Sequence, residues 1–146
     1  MSDDTAENKN EGQICKRFMY VNRKAPYGTV YALESLEVVL IGAAFEQDVS
    51  LAFIGDGVYQ LKKGQDTKSL GVKNFSPTYR ALGEYDITKI YVEKESLEQR
   101  GLKITDLLEL KYEDADDDDT EKDSIRVLPA SELKDIMAQQ DVLFNF

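Results

Sequence analysis

The sequence predicts an α/β fold, a parallel sheet with helices packed on both faces. Apolar, β-branched segments alternate with segments of helical periodicity, five strands with four helical stretches between them. Parallel strands require crossovers, and this alternation supplies them. The run Val49 to Ile54 is almost unbroken in its apolarity, as in a strand covered on both faces. A length of 146 residues suits one domain with a substantial core and leaves little room for two.

Residues 1–15 read as a disordered tail, polar and acidic, without the apolar stretch of a secretory signal. Lys16 to Asn22 is aromatic and β-branched and reads as the first strand. Pro26 and Gly28 break it. Val30, Leu33, Leu36, Leu40 and Ala44 then recur at helical spacing, which predicts a helix ending near Gln47. Val38, Val39 and Ile41 widen its apolar face. Val49 to Ile54 is the second strand. A short helical turn is expected near Val58–Leu61, and a helix near Ser76–Leu82 with Pro77 in its first turn. Ile87 to Val92 is the third strand, and Gly101 stops a short helix over Ser96 to Arg100. Thr105 to Tyr112 fits helix and strand equally. Residues 113–123 read as an acidic loop, and SIRVLP as the fourth strand. Ser131 is placed to cap a helix over Glu132–Gln140, and DVLFNF is the fifth strand. The domain thus runs from 16 to 146.

Charge narrows the function. Of the net −10, residues 1–12 contribute −3 and residues 113–123 contribute −7, so the body is neutral. A neutral body offers no broad basic field to a nucleic-acid backbone, so no direct nucleic-acid contact is expected. No apolar run is long enough to span a bilayer. The single cysteine, Cys15, forbids an internal disulfide and suits a reducing cytoplasm. There is no histidine, which removes the commonest general base and the commonest neutral metal ligand. No metal site, cofactor site or catalytic residue is expected.

Gly55-Asp56-Gly57 raises the question of a phosphate cradle. A dinucleotide fingerprint needs a third glycine where Gln60 stands, and it follows the first strand, not the second. The simpler reading is a turn off the strand, with the glycines at positive φ, Asp56 capping the next turn, and Tyr59 and Gln60 following. The loop after the first strand holds Arg23, Lys24, Tyr27, Gly28 and Thr29. It sits where α/β proteins bind ligands, and its cations and free amides can hold an anion or a partner. An ordinary turn shaped by Pro26 and Gly28 accounts for the same residues. Cys15 lies beside Lys16 and Arg17, which favour a thiolate, but at the wrong end of its strand for catalysis. Asp116–Asp119 lack the alternation, glycine and closing glutamate of a calcium loop. Phe75, Tyr79 and Tyr85 form an aromatic group suited to core or to a partner surface.

KRFMYVNRKAPYGTVYALESLEVVL, AFIGDGVYQLKKGQ, NFSPTYRALGEYDI, VEKESLEQRGL and the terminal DVLFNF, in that order and spacing, resemble the DsrE/DsrF/DsrH (TusBCD) sulfur-relay family, its DsrF/TusC branch above all. The likeness covers Lys16 to Leu108 well and Ser131 to Phe146 more loosely. It implies a DsrEFH-like three-layer α/β/α domain around a five-stranded parallel sheet, and it makes Gly55–Gln60 the family's turn after the second strand, with no nucleotide. It also implies DsrE-like and DsrH-like partners in a heterohexamer with two copies of each subunit. That complex hands persulfide sulfur to a DsrC-type (TusE-like) carrier, in sulfur oxidation or, in the TusBCD branch, in tRNA 2-thiouridine formation. The isolated chain is open to self-association. The sulfur-carrying cysteine of the DsrE-like sister lies at or just beyond the third strand, where this chain reads Ile90 to Glu95 without a thiol. The resemblance therefore implies a non-catalytic subunit of a sulfurtransferase complex. A stand-alone small-anion-binding protein is the competing reading of another class.

Overall fold

The computed structural model describes residues 15–25, 47–63, 82 and 87–146. Its centre is a five-stranded, all-parallel sheet. The strands are β1 (Arg17–Asn22), β2 (Asp48–Phe53), β3 (Lys89–Glu93), β6 (Ile125–Leu128) and β7 (Val142–Asn145), in spatial order β6-β3-β2-β1-β7. Register is continuous across the centre: Tyr20 lies beside Leu51, Leu51 beside Ile90, and Ile90 beside Ile125. The five parallel strands expected from the sequence are therefore present, with boundaries shifted by no more than about two residues.

Alternation along the strands sends two apolar sets to opposite faces. One face carries Tyr20, Leu51, Phe53, Ile90, Val92 and Ile125, covered by Val58, Leu61, Leu97, Leu107, Leu108 and Leu110. The other carries Met19, Val21, Ala52 and Tyr91, covered by Leu133 with Ile136 and Met137. Covering the first face are a 3-10 segment, Gly55–Leu61, and helix α1, Lys94–Gln99; covering the second is helix α2, Ala130–Ala138. The crossover from β3 to β6 runs outward and the one from β6 to β7 returns across the whole sheet. Right-handed connections of opposite direction place their helices on opposite faces. Tyr20 is stacked on Phe144 with centroids 5.0 Å apart, and Phe18 meets Phe144 edge-on at 5.8 Å, which binds β7 to β1 through aromatic packing.

Two local expectations change. The helix expected over Glu132–Gln140 spans Ala130–Ala138, and Ser131 is inside it. Pro129 at the preceding position fixes φ at −58° and starts the helix early. The cap comes from another element, since Glu95 Oε2 accepts the Ala130 N–H at 2.8 Å. Helix α1 begins at Lys94, and Gly101 ends it at φ +65°. The Gly101 N–H donates to the Glu98 carbonyl and the Leu102 N–H to that of Leu97, a Schellman closure.

The acidic segment is also more ordered than a solvated loop. β4 (Lys111–Asp114) and β5 (Thr120–Asp123) form an antiparallel hairpin closed by a 3-10 turn, Ala115–Asp117. Part of its charge is paired internally. Lys122 Nζ lies 2.7 Å from Asp114 and 3.3 Å from Asp117, and Lys111 lies 3.3 Å from Glu121. Asp118 and Asp119 take left-handed φ of 51° and 56°, which acidic side chains tolerate better than branched ones. The ambiguous stretch Thr105–Tyr112 opens with a 3-10 turn, Ile104–Asp106, and then runs extended into β4. The first predicted helix, the helix at Ser76–Leu82 apart from Leu82, and the tail before Cys15 lie outside the described residues. Among the described residues no helix is long and apolar enough to cross a membrane.

Two outcomes follow from the hairpin. None of its residues belongs to either core cluster. Replacing Glu113–Asp123 with a short Gly/Ser linker should therefore move the melting temperature by less than about 3 °C. A larger fall would mean that the hairpin supports the sheet. The hairpin should also loosen in acid. The Lys122 hydrogen bond, with the Asp116 N–H second, holds Asp114 below the ordinary carboxylate range. A carboxylate lowered on folding stabilises fully above its unfolded value of about 3.9, and that contribution is lost as pH falls through the lower folded value. Protection of the Thr120–Asp123 amides, taken relative to their intrinsic exchange rate at each pH, should fall below about pH 4 while the amides of β1 and β2 stay protected. Lys122→Met should shrink the pH step to the part that the Asp116 N–H sustains.

Candidate functional site

The C-terminal ends of parallel strands are where α/β proteins place their sites, and here the ends of β1, β2 and β3 meet. The turn after β2 crosses directly over the end of β1. The Ile54 N–H donates to the Asn22 carbonyl at 3.1 Å, and Gly57 presses on the same group. A Cβ at Gly57 would stand 1.9 Å from the Asn22 oxygen, so position 57 is restricted to glycine by contact. Gly55 is glycine for another reason, a φ of +56°. Asn22 is itself buried; its Nδ2 donates to the Tyr20 carbonyl at 3.2 Å. Its Oδ1 is the one buried side-chain nitrogen or oxygen among the described residues without a partner.

From that crossing a polar network extends to α1. The Gly55 N–H donates to Ser96 Oγ at 2.8 Å, and the Ser96 hydroxyl donates to Glu93 Oε1 at 2.7 Å. Arg100 Nη1 donates to the Ser96 carbonyl at 3.1 Å, while its Nε and Nη2 reach Asp56 Oδ1 at 3.1 and 3.0 Å. Gln60 is buried, and its Nε2 donates to the Lys24 carbonyl at 2.9 Å. The first-strand loop, the glycine turn and α1 are thus bonded together at one rim. The Arg100–Asp56 pair adds little energy, because Asp56 is 62% exposed and surface pairs contribute at most about 1 kcal/mol. The weight falls on Ser96, which is 2% exposed and uses its hydroxyl as donor and acceptor at once.

Of the residues singled out in the sequence, Arg23, Lys24, Gly55, Asp56, Gly57, Tyr59 and Gln60 come together here. Asp56 does not cap the following turn, as first expected; its carboxylate is turned toward Arg100. Tyr27, Gly28, Thr29, Phe75, Tyr79 and Tyr85 lie outside the described residues. Asn22, Glu93, Ser96 and Arg100 were not anticipated. Their mutual spacing, three residues from Glu93 to Ser96 and four from Ser96 to Arg100, is a helical-turn signal present in the sequence. Their bonds to Gly55 and Asp56, 41 and 44 residues away, are not.

The thiol lies elsewhere. Cys15 is exposed and precedes the N-terminal end of β1, across the length of the sheet, roughly 20 Å, from this rim. Among the described residues no group of three or more acidic, cysteine or histidine side chains is arranged to hold a metal. A separate cleft of about 300 Å³ opens near the β6 edge, lined by Lys63, Ile104, Leu108, Lys111, Asp123 and Ile125.

The fold and rim define a class, a parallel α/β domain whose strand ends are closed by backbone contact and hydrogen bonds. The chain belongs to the DsrE/DsrF-like family, whose profile matches residues 16–146. It is 53% identical over 134 residues to the intracellular sulfur oxidation protein DsrF of Allochromatium vinosum, covering 92% of this chain and 98% of that one. It is 42% identical over 89 residues to a TusC homologue of Vibrio vulnificus, covering 61% and 75% of the two chains. The crystal structure of the ychN protein from Escherichia coli shares the fold, with a TM-score of 0.68 at 19% identity over 90% of this chain and 99% of that one.

The two glycines separate contact from conformation. Gly57→Ala should cost about 3 kcal/mol or more in chemical denaturation, because backbone must move to admit the methyl. Gly55→Ala should cost only about 1–2 kcal/mol, the left-handed penalty, since its nearest neighbours would be 3.8 Å away. Equal losses would show that the turn does not cross β1 as described.

Proposed function

We propose that this chain is a DsrF-like, non-catalytic subunit of a cytoplasmic sulfurtransferase complex. DsrE-like and DsrH-like subunits complete a heterohexamer with two copies of each, which passes persulfide sulfur to a DsrC-type carrier in sulfur oxidation. One observation carries the non-catalytic role. At the end of β3, where the resemblance places the sulfur-carrying cysteine of the DsrE-like sister, this chain has Glu93 bonded to a buried Ser96. Sulfur moves by direct attack of a thiolate on a second sulfur, and a serine hydroxyl cannot take that part.

Likeness over 92% of the chain to a protein named for intracellular sulfur oxidation favours that process over the tRNA thiolation reading, whose TusC relative matches 61%. The neutral body is consistent with protein partners and against direct contact with nucleic acid. In this reading the rim is a scaffold held rigid by Gly57 and Ser96, and the loop beginning at Arg23 and Lys24 is its candidate contact with an anion or a partner.

Co-expression with DsrE-like and DsrH-like proteins, followed by native mass measurement, should give the two-two-two hexamer. A monomer that ignores both would overturn the assembly. Within the hexamer Cys15→Ser should leave persulfide transfer to the carrier unchanged by mass spectrometry, whereas removing the cysteine of the DsrE-like subunit should abolish it. Loss of transfer in Cys15→Ser with the hexamer intact would make this chain a sulfur carrier and end the non-catalytic reading.

A further inference from the structure

No further inference is drawn: the strongest candidate, the cleft of about 300 Å³ between the Leu107–Leu110 segment and Ile125 at the β6 edge of the sheet, has described lining charges that cancel (Lys63 and Lys111 against Glu109 and Asp123), and nothing among the described residues shows what covers it.

Discussion

The contact on which this structure depends is between two stretches of backbone, the carbonyl of Asn22 at the end of β1 and Gly57 in the turn after β2. The Asn22 oxygen also accepts the Ile54 N–H, so the chain leaving β2 is drawn across the top of its neighbour and not out into solvent. A side chain at position 57 would collide with that carbonyl, and the turn would have to lift. Everything stacked above it would lift as well. Val58 and Leu61, both fully buried, reach the core only because the turn lies flat. Gly55 can offer its N–H to Ser96, and Gln60 can reach the Lys24 carbonyl, for the same reason.

This arrangement explains why a glycine-rich turn at the end of a parallel strand need not bind phosphate. In a nucleotide cradle the glycines leave room for a ligand and the amides point at it. Here a neighbouring strand fills the space that Gly57 leaves, and the Gly55 amide is spent on the Ser96 hydroxyl. The groups with hydrogen-bonding capacity at this rim are directed mainly at one another. Among the described residues the exception is Asn22 Oδ1, buried there without a hydrogen-bond partner.

The hairpin answers its charge in a comparable way. Eleven residues with a net charge of −7 would repel one another as a loop. Two lysines placed across the strand pair reduce that cost. Lys122 contacts Asp114 and Asp117, and Lys111 contacts Glu121. The surplus acids gather at the turn and on the outer edge, where water screens them. The hairpin is therefore ordered without contributing a side chain to either apolar cluster.

The parallel sheet was legible in the sequence because its cause is local. The unbroken apolar run of β2, the alternation of strand and helix, and Gly101 at the end of α1 act within a few residues. Family membership was legible too, since the order and spacing of motifs survive as linear text. The rim was legible only by halves. Gly55-Asp56-Gly57 stood out, but the reason for Gly57 lies in a strand 35 positions earlier, and the partner of Asp56 lies 44 positions later. Ser131 looked like a helix cap because Ser often is one, yet Glu95, brought in by the crossover, holds that helix end. The hairpin was missed because like charges in sequence argue against order, and only the antiparallel register, Tyr112 beside Lys122, shows which charges become neighbours. The sequence determined by itself the elements and the class, because periodicity and turn chemistry are short-range. The tertiary structure decided what each turn is for, because a contact between residues 35 or 44 apart exists only after the chain has closed upon itself.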